Sequence, residues 1–212
     1  MLQLLSHLDP DHTLGIRVFE QFRLNWLEVS EGKECNNPIN VLAMEHVMSD
    51  MNSIQFVFGS YLDYYEKTRN LIKRNVINKF IHIDGIKISC IKVNHATIFV
   101  FEENEKKVIY APCDVKPFPN DDILKDADVL IIGNTIVGNI LKDGFVLKEN
   151  NPLRDDLFIM DEIQNIKRKY NIEDVIITHL EEDWGKSYND YLELENHYDG
   201  IKFAYDDMEI NI

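Results

Sequence analysis

A cluster of possible metal ligands follows a short apolar segment at the start of the chain. The segment 2–5 contains three leucines, and four polar residues with metal-binding side chains come next, His7, Asp9, Asp11 and His12. Polar residues that follow a strand lie in a loop at the edge of a sheet, where binding sites are commonly built. Imidazole nitrogens and carboxylate oxygens bind Zn²⁺, Mn²⁺ and Fe²⁺. The segment therefore favours a fold in which an early strand ends at a metal site.

The spacing of these four residues supports the same interpretation. His7 and Asp9 are two positions apart, so their side chains share one face of an extended chain. Asp11 and His12 are neighbours, and their side chains diverge toward a second ion. The alternative is an ordinary polar turn, because Asp-Pro-Asp is common loop sequence. The two flanking histidines favour the metal site over the turn.

Composition limits the class of protein and its partners. The chain has 212 residues, 45% of them hydrophobic and 28% charged, which is typical of one globular domain over 1–212. The net charge of −15 disfavours nucleic acid, an anionic membrane or a large polyanion as partner and leaves a small anionic substrate. We expect no membrane span, because no apolar run reaches the length of about 20 residues that one requires. A homo-oligomer is compatible with these data.

The three cysteines and the start of the chain indicate the compartment. Cys35, Cys90 and Cys113 are odd in number and lack the spacing of a metal site. Reduced thiols in the cytoplasm are the expectation. The first residues lack the basic region and cleavage site of a signal peptide, which agrees with a cytoplasmic location. Cys113 adjoins Asp114 and can lie near a metal, but we interpret it as a buried packing thiol.

Hydrophobic periodicity predicts an α/β (α+β) chain. The predicted strands lie at 2–5, 39–43, 79–83, 86–93, 97–101, 108–111, 129–134 and 174–178, with a final hairpin or strand pair at 201–210. The first predicted helix ends at Phe22 and is expected to bury Leu14, Val18 and Phe22. Further helices are predicted over 45–51, 60–73, 154–170 and 187–198. Residues 28–37 are expected to form a loop, and Asp84-Gly85 a hairpin turn.

Four of the seven histidines follow an apolar strand or its immediate turn. They are His7, His12, His95 and His179, and Asp114 follows residues 108–111 in the same way. His46 and His82 instead lie within a predicted helix and an alternating strand, where a surface or packing role suffices. The order of the strand-end residues along the chain is therefore a further sign of a metal site.

This pattern resembles the metallo-β-lactamase superfamily. Residues 7–12 are similar to its His-x-His-x-Asp-His signature, with Asp9 in place of the second His. His95, Asp114 and His179 stand where that family has a lone His, an Asp and a late His. The tail 203–208 looks like the Ala-Tyr-Asp-Gly-Met ending of the cyclic phosphodiesterases of the phosphonate pathway, the phosphoribosyl cyclic phosphodiesterase-like branch. The resemblance covers most of the chain and is specific for the fold rather than for the substrate.

The resemblance implies an αββα sandwich and two divalent transition-metal ions (Zn, Mn or Fe). Carried over by position, the first ion is held by His7, Asp9 and His95, and the second by Asp11, His12 and His179. Asp114 bridges the two ions, and Asp11 and Asp114 orient the metal-bridging hydroxide that attacks the substrate. Asp183 and Lys186 are guesses for a leaving-group acid.

The chain departs from the family pattern at two points. Asp9 adds an oxygen ligand and a negative charge, and this harder ligand set favours Mn²⁺ or Fe²⁺ over Zn²⁺. The first motif lies so near Met1 that the first N-terminal strands of the family fold are expected to be missing from this sequence.

The sequence leaves three functions open. The first is a metal-dependent hydrolase, in particular a phosphodiesterase for a small phosphate ester, although thioesters and lactones suit the same centre. The second is a degenerate or truncated, non-catalytic protein of the same fold. The third is a nuclease of the superfamily, which the acidic surface disfavours.

Overall fold

The computed structural model describes residues 1–13 and 15–212, except for the side chains of Pro10, Asp11 and Gln21. Leu14, which the sequence predicts to be buried, lies outside these described residues. The chain divides into two compact units: unit 1 comprises Met1–Phe80 and His95–Thr97, and unit 2 comprises Ile81–Asn94 and Ile98–Ile212. The assignment of 1–212 to a single domain stays a prediction.

Unit 1 contains a three-stranded parallel sheet and short helices. Its strands are β1 Leu2–Leu4, β2 Ile39–Ala43, β3 Gln55–Phe56, β4 Gly59–Ser60 and β5 Ile72–Val76. Its helices are α1 Pro10–Thr13, α2 Ile16–Arg23, α3 Trp26–Ser30, α4 Glu45–Ser53 and α5 Tyr61–Asp63, the last continued by a π-helical turn Tyr64–Thr68. The sheet order is β1-β2-β5, and β3 pairs with β4 in a small hairpin.

The core of unit 1 forms between this sheet and the helices. Helix α4 buries Val47, Met48 and Met51 on one side, as the helical period requires. Ser60 caps α5 by accepting a hydrogen bond from the backbone N–H of Asp63 at 3.1 Å. The strand β2 is buried at four of its five positions, so it passes through the middle of this core.

The predicted core face of the first helix is wrong. Val18 is 51% exposed and Phe22 78% exposed, whereas Ile16 is fully buried and Leu24 almost so. The helical segment is divided, because α1 ends at Thr13 and α2 begins at Ile16. Counting helical positions without a break from Leu14 therefore predicts burial for residues that lie on the solvent-exposed side of α2.

Unit 2 is built on a seven-stranded mixed sheet. Its strands are β6 Phe80–Ile83, β7 Ile86–Val93, β8 Ala96–Glu103, β9 Lys106–Ala111, β10 Val129–Gly133, β11 Thr135–Ile136, β12 Phe158–Ile159, β13 Asp174–Thr178 and β14 Ile201–Phe203. Its helices are α6 Leu153–Asp156, α7 Met160–Tyr170 and α8 Tyr188–Glu195, with 3₁₀ turns at Asp122–Leu124, Lys142–Gly144 and Glu182–Trp184. The sheet order is β14-β13-β10-β9-β8-β7-β6, and β11 pairs with β12.

The strands predicted at 86–93, 97–101, 108–111, 129–134 and 174–178 are confirmed, with small shifts at their ends. Strands β8 and β9 pair antiparallel, whereas β9, β10, β13 and β14 run parallel. Parallel strands need helical crossovers, and α7 supplies the one between β10 and β13. That helix buries Met160, Ile163, Ile166 and Tyr170 and carries three basic residues in its last turn. The carboxyl ends of β9, β10 and β13 consequently lie at the same edge of the sheet.

Several predicted boundaries are corrected. The helix expected over 154–170 is interrupted by the short strand β12, and the helix expected over 60–73 ends at Thr68. The expected loop 28–37 begins inside α3. Within the described tail, 201–203 is a strand and the second strand of the predicted pair is not formed. The α/β class is confirmed, and none of the helices in the described part of the chain has the length and apolarity of a membrane span.

Candidate metal centre

Three of the predicted ligands lie together in unit 1, after β1. The imidazole of His7 is buried, and its Nε2 lies 3.6 Å from Oδ2 of Asp9. Nδ1 of the same ring lies 2.9 Å from Oγ of Ser6, a hydrogen bond that orients the ring. The ring of His12 packs against that of His7 with centroids 4.2 Å apart. Two imidazoles and a carboxylate grouped in this way form a ligand set that suits a divalent transition metal.

A tight turn produces this grouping. The backbone N–H of His12 and the hydroxyl of Thr13 both donate to the carbonyl of Asp9, at 3.0 and 2.7 Å. Pro10 is the first residue of α1, a position where its missing N–H costs no hydrogen bond. The backbone of Asp11 belongs to α1, but its side chain lies outside the described part of the structure. The roles of Asp11 as ligand and catalytic group therefore stay predictions.

A second group of polar residues lies at one sheet edge in unit 2. Asp114 follows β9, Asn134 follows β10 and His179 follows β13, with φ values of 64°, 46° and 53°. Residues other than glycine seldom adopt this left-handed conformation. Asp, Asn and His adopt it more readily than other residues with a side chain, and here each of the three turns the chain where its strand ends.

The side chain of His179 links two further residues in unit 2. Its Nδ1 lies 3.5 Å from Sγ of Cys113, and its Nε2 lies 3.0 Å from Oε1 of Glu181. Cys113 is buried, whereas the side chain of His179 is 31% exposed. Both nitrogens of this imidazole therefore have a defined partner, and the site is open to solvent on the histidine side.

Two predicted ligands lie in exposed turns. His95 lies in the turn between β7 and β8, and Asp114 lies in the turn after β9. Both positions are strand ends, as expected from the sequence. The assignment of His7, Asp9, Asp11, His12, His95, Asp114 and His179 to two ions is nevertheless still a prediction.

A close backbone approach fixes the segment that carries Cys113 and Asp114. At Gly133, the last residue of β10, an added Cβ would lie 2.9 Å from the backbone nitrogen of Cys113. Contacts of this kind are shorter than real Cβ atoms make, so any larger residue would push the 112–114 segment away from β10. The glycine thus sets the position of both side chains.

We expect Gly133→Ala to lower the free energy of unfolding by about 1–3 kcal/mol, because the new methyl group overpacks a rigid backbone contact. Urea unfolding followed by far-ultraviolet circular dichroism measures this change. The control is Gly15→Ala, where an added Cβ meets no atom within 4 Å. Equal stability of the two variants would contradict the proposed contact.

A cavity of about 440 Å³ opens beside this edge of unit 2. Its walls include Asn134, Glu181 and the buried Trp184. Apolar side chains complete it, namely Leu141, Phe145, Leu153 and Leu157. Lys142 and Asp183 also line it, and the hydrogen bond from Lys142 lowers the pKa of the Glu182 carboxyl. A cavity of this size accommodates a small organic group.

Two features of the site are not evident from the sequence. The sequence pattern favours a packing role for Cys113 and indicates no role for Glu181. The adjacency of Cys113 to a predicted ligand, and the position of Glu181 two residues after His179, are the signals that could have identified them. Neither signal is specific without the contacts that the folded chain makes.

Comparisons with known proteins concern the fold. No protein-family model matches the chain, and no curated protein matches it. Solved structures do match, among them a diphosphatase from the PhnP family (14% identity, all of this chain and 71% of the other, TM-score 0.67). The Zn²⁺-bound PqqB from Methylobacterium extorquens (16% identity, 100% and 71% coverage, TM-score 0.64) is similar too.

A third match names the architecture directly. The metallo-β-lactamase fold protein YhfI from Bacillus subtilis shares 11% identity, with 96% of this chain and 74% of YhfI covered and a TM-score of 0.62. At such low identities the likeness concerns three-dimensional structure rather than activity. The matches agree with the resemblance found in the sequence and extend over nearly all of its length. The chain has the metallo-β-lactamase fold.

Proposed function

We propose that the protein is a metal-dependent hydrolase that acts on a small phosphate ester. The observation that carries the proposal is the placement of metal-binding side chains at strand ends. His7, Asp9 and His12 cluster after β1 in unit 1, and Asp114 and His179 follow β9 and β13 in unit 2. This donor set of imidazoles and carboxylates fits divalent transition metals.

The proposed ligands divide between two ions. His7, Asp9 and His95 would hold the first ion, and Asp11, His12 and His179 the second, with Asp114 shared between them. When bound, such ions supply hydroxide near neutral pH and stabilise charge on phosphoryl oxygens. The contacts of His7 Nδ1 with Oγ of Ser6 and of His179 Nε2 with the carboxylate of Glu181 would orient the two imidazoles, as the outer partners of metal-binding histidines do.

Charge and cavity size support a small substrate. The net charge of −15 repels large polyanions, which disfavours nucleic acid. The cavity of about 440 Å³ in unit 2 lies beside Glu181, the partner of His179. Its apolar walls suit the organic group of an ester, and its size limits that group to a few rings.

The proposal is tested with bis(p-nitrophenyl) phosphate as a generic phosphodiester. Purified protein is stripped with a chelator and reloaded with Zn²⁺, Mn²⁺ or Fe²⁺, and release of p-nitrophenol is followed by absorbance. We expect hydrolysis by the reloaded protein and none by the stripped protein. Parallel assays on a thioester, a lactone and a single-stranded oligonucleotide define the ester class. Absence of metal binding by folded protein would overturn the proposal.

We expect Leu153→Trp to lower kcat/KM for this substrate by about tenfold, because the larger ring fills the cavity, and one poorly fitting group costs about 1–3 kcal/mol. Leu153 lines the cavity and is 42% exposed, so the change need not disturb the core. The matched control is Leu192→Trp on α8, where the leucine is 40% exposed. Metal content should equal that of the wild type in both variants. Unchanged kcat/KM in Leu153→Trp would exclude this cavity as the substrate site.

A further inference from the structure

The contacts around His179 have the form of a metal-binding histidine with a thiol as its neighbouring ligand. Nδ1 points to Sγ of Cys113, and Nε2 contacts the carboxylate of Glu181. Histidines that bind metals through one nitrogen usually donate the other N–H to a carboxylate, which fixes the tautomer. The contact with Glu181 thus leaves Nδ1 as the nitrogen that can bind an ion.

The distance between the two candidate donors agrees with a shared ion. In a tetrahedral zinc site, Zn–S is about 2.3 Å and Zn–N about 2.0–2.1 Å, so sulfur and nitrogen lie about 3.5 Å apart. Sγ of Cys113 and Nδ1 of His179 are 3.5 Å apart. Without an ion, the thiol proton can occupy the same space as a hydrogen bond to Nδ1. An ion bound at this position would take the place of that proton, and Cys113 would hold it as a thiolate.

The position of Cys113 is fixed before any ion binds. The backbone of β10 at Gly133 packs against the nitrogen of Cys113, and the following residue, Asp114, is held in the left-handed conformation. The thiol of Cys113 is buried, whereas the side chain of His179 is partly exposed. An ion bound between them would therefore have the buried sulfur on its inner side and the imidazole on its solvent side. Such a rigid arrangement keeps a donor in place at low entropic cost.

We propose that Cys113 is a thiolate ligand of the ion held by His179, next to Asp114. This inference rests on the proposed function, because it adds a sulfur ligand to the same centre. Thiolate is a soft ligand and favours Zn²⁺ over Mn²⁺ at this ion. Asp9 in unit 1 is a hard ligand, so the two proposed ions have ligand sets with different metal preferences.

Cobalt substitution tests the ligand directly, without an activity assay. Stripped protein is titrated with Co²⁺, whose visible d–d bands report binding and whose near-ultraviolet sulfur-to-cobalt band reports thiolate ligation. We expect both features in the wild type and in the double variant Cys35→Ser/Cys90→Ser, in which Cys113 is the single cysteine of the chain. In Cys113→Ser we expect d–d bands but no sulfur-to-cobalt band.

The outcomes separate this inference from the proposed function. Cobalt binding without the sulfur band in the double variant overturns the inference, and hydrolysis by that protein leaves the proposed function intact. The sulfur band in Cys113→Ser likewise overturns the inference. No cobalt binding by any folded form overturns both. Since the double variant retains Cys113, the test stands even where Cys113→Ser fails to fold.

Cys90 provides the contrast within the same unit. Burial raises the pKa of its thiol to about 11, so it stays protonated at neutral pH. Its strand β7 lies away from β9 and β13 in the sheet order. A single variant Cys90→Ser is therefore expected to keep the full sulfur-to-cobalt band.

Discussion

Replacing Asp114 with alanine is expected to abolish the second bound ion and to lower hydrolysis by about 10³-fold. The variant removes the carboxylate that we propose to be shared by two ions, and a bound metal contributes several kcal/mol of transition-state stabilisation, where each 1.36 kcal/mol is tenfold in rate. The measurement is metal per chain by elemental analysis, alongside hydrolysis of bis(p-nitrophenyl) phosphate. We expect about two ions in the wild type and one or none in the variant.

The control for this variant must lose the same stability through backbone strain. Asp114 is exposed and has a φ of 64°, so alanine at this position is strained irrespective of any metal. Asp84 is also exposed, lies in the same unit and has a φ of 50° in the hairpin between β6 and β7. Asp84→Ala should therefore lose similar stability but retain metal and activity. Equal metal content in the two variants would exclude Asp114 as a ligand.

The strands of unit 2 are the part of the fold that the sequence predicts best. Segments such as 86–93 alternate in hydrophobicity, and 129–133 is continuously apolar, so both the solvent-facing and the buried strands leave a local signal. Asp84-Gly85 adds a turn signal, and the positive φ of both residues explains why that pair occurs there.

The helices of unit 1 are harder to predict because tertiary contacts decide which side is buried. Val18 and Phe22 have the spacing of a core face, yet Ile16 and Leu24 occupy the core instead. The short strand β12 is hard to predict for the same reason. It pairs with β11, which is distant in sequence, and it interrupts a segment with good helical periodicity. Local propensity cannot report a contact between residues distant in sequence.

In the candidate site, too, some features can be predicted from local sequence and others depend on tertiary contacts. His7 and His179 are predictable, because histidine directly after an apolar strand is a local pattern. The contact between Cys113 and His179 joins residues 66 positions apart, and it depends on the parallel pairing of β9, β10 and β13. Sequence order gives the candidate ligands, whereas strand order determines which of them meet.

The buried imidazole of His7 should link stability to metal. We expect Zn²⁺ or Mn²⁺, added at about 1,000 times its dissociation constant, to stabilise the wild type by about 4 kcal/mol. We expect His7→Gln to bind the ion at least about 100-fold more weakly, since a neutral amide replaces the imidazole ligand. The stabilisation at the same metal concentration then falls to about 1.4 kcal/mol or less. Thermal unfolding with and without metal measures both values.

The change caused by metal, rather than the melting temperature itself, is the decisive quantity. His7 is only 2% exposed, so His7→Gln also alters packing and lowers stability without metal. That loss cancels when each protein is compared with its own metal-free form. His82→Gln, at an exposed position of β6, controls for nonspecific binding of metal to histidine and should keep the full stabilisation. If His7→Gln were stabilised as strongly as the wild type, the ion would have to bind elsewhere in the chain.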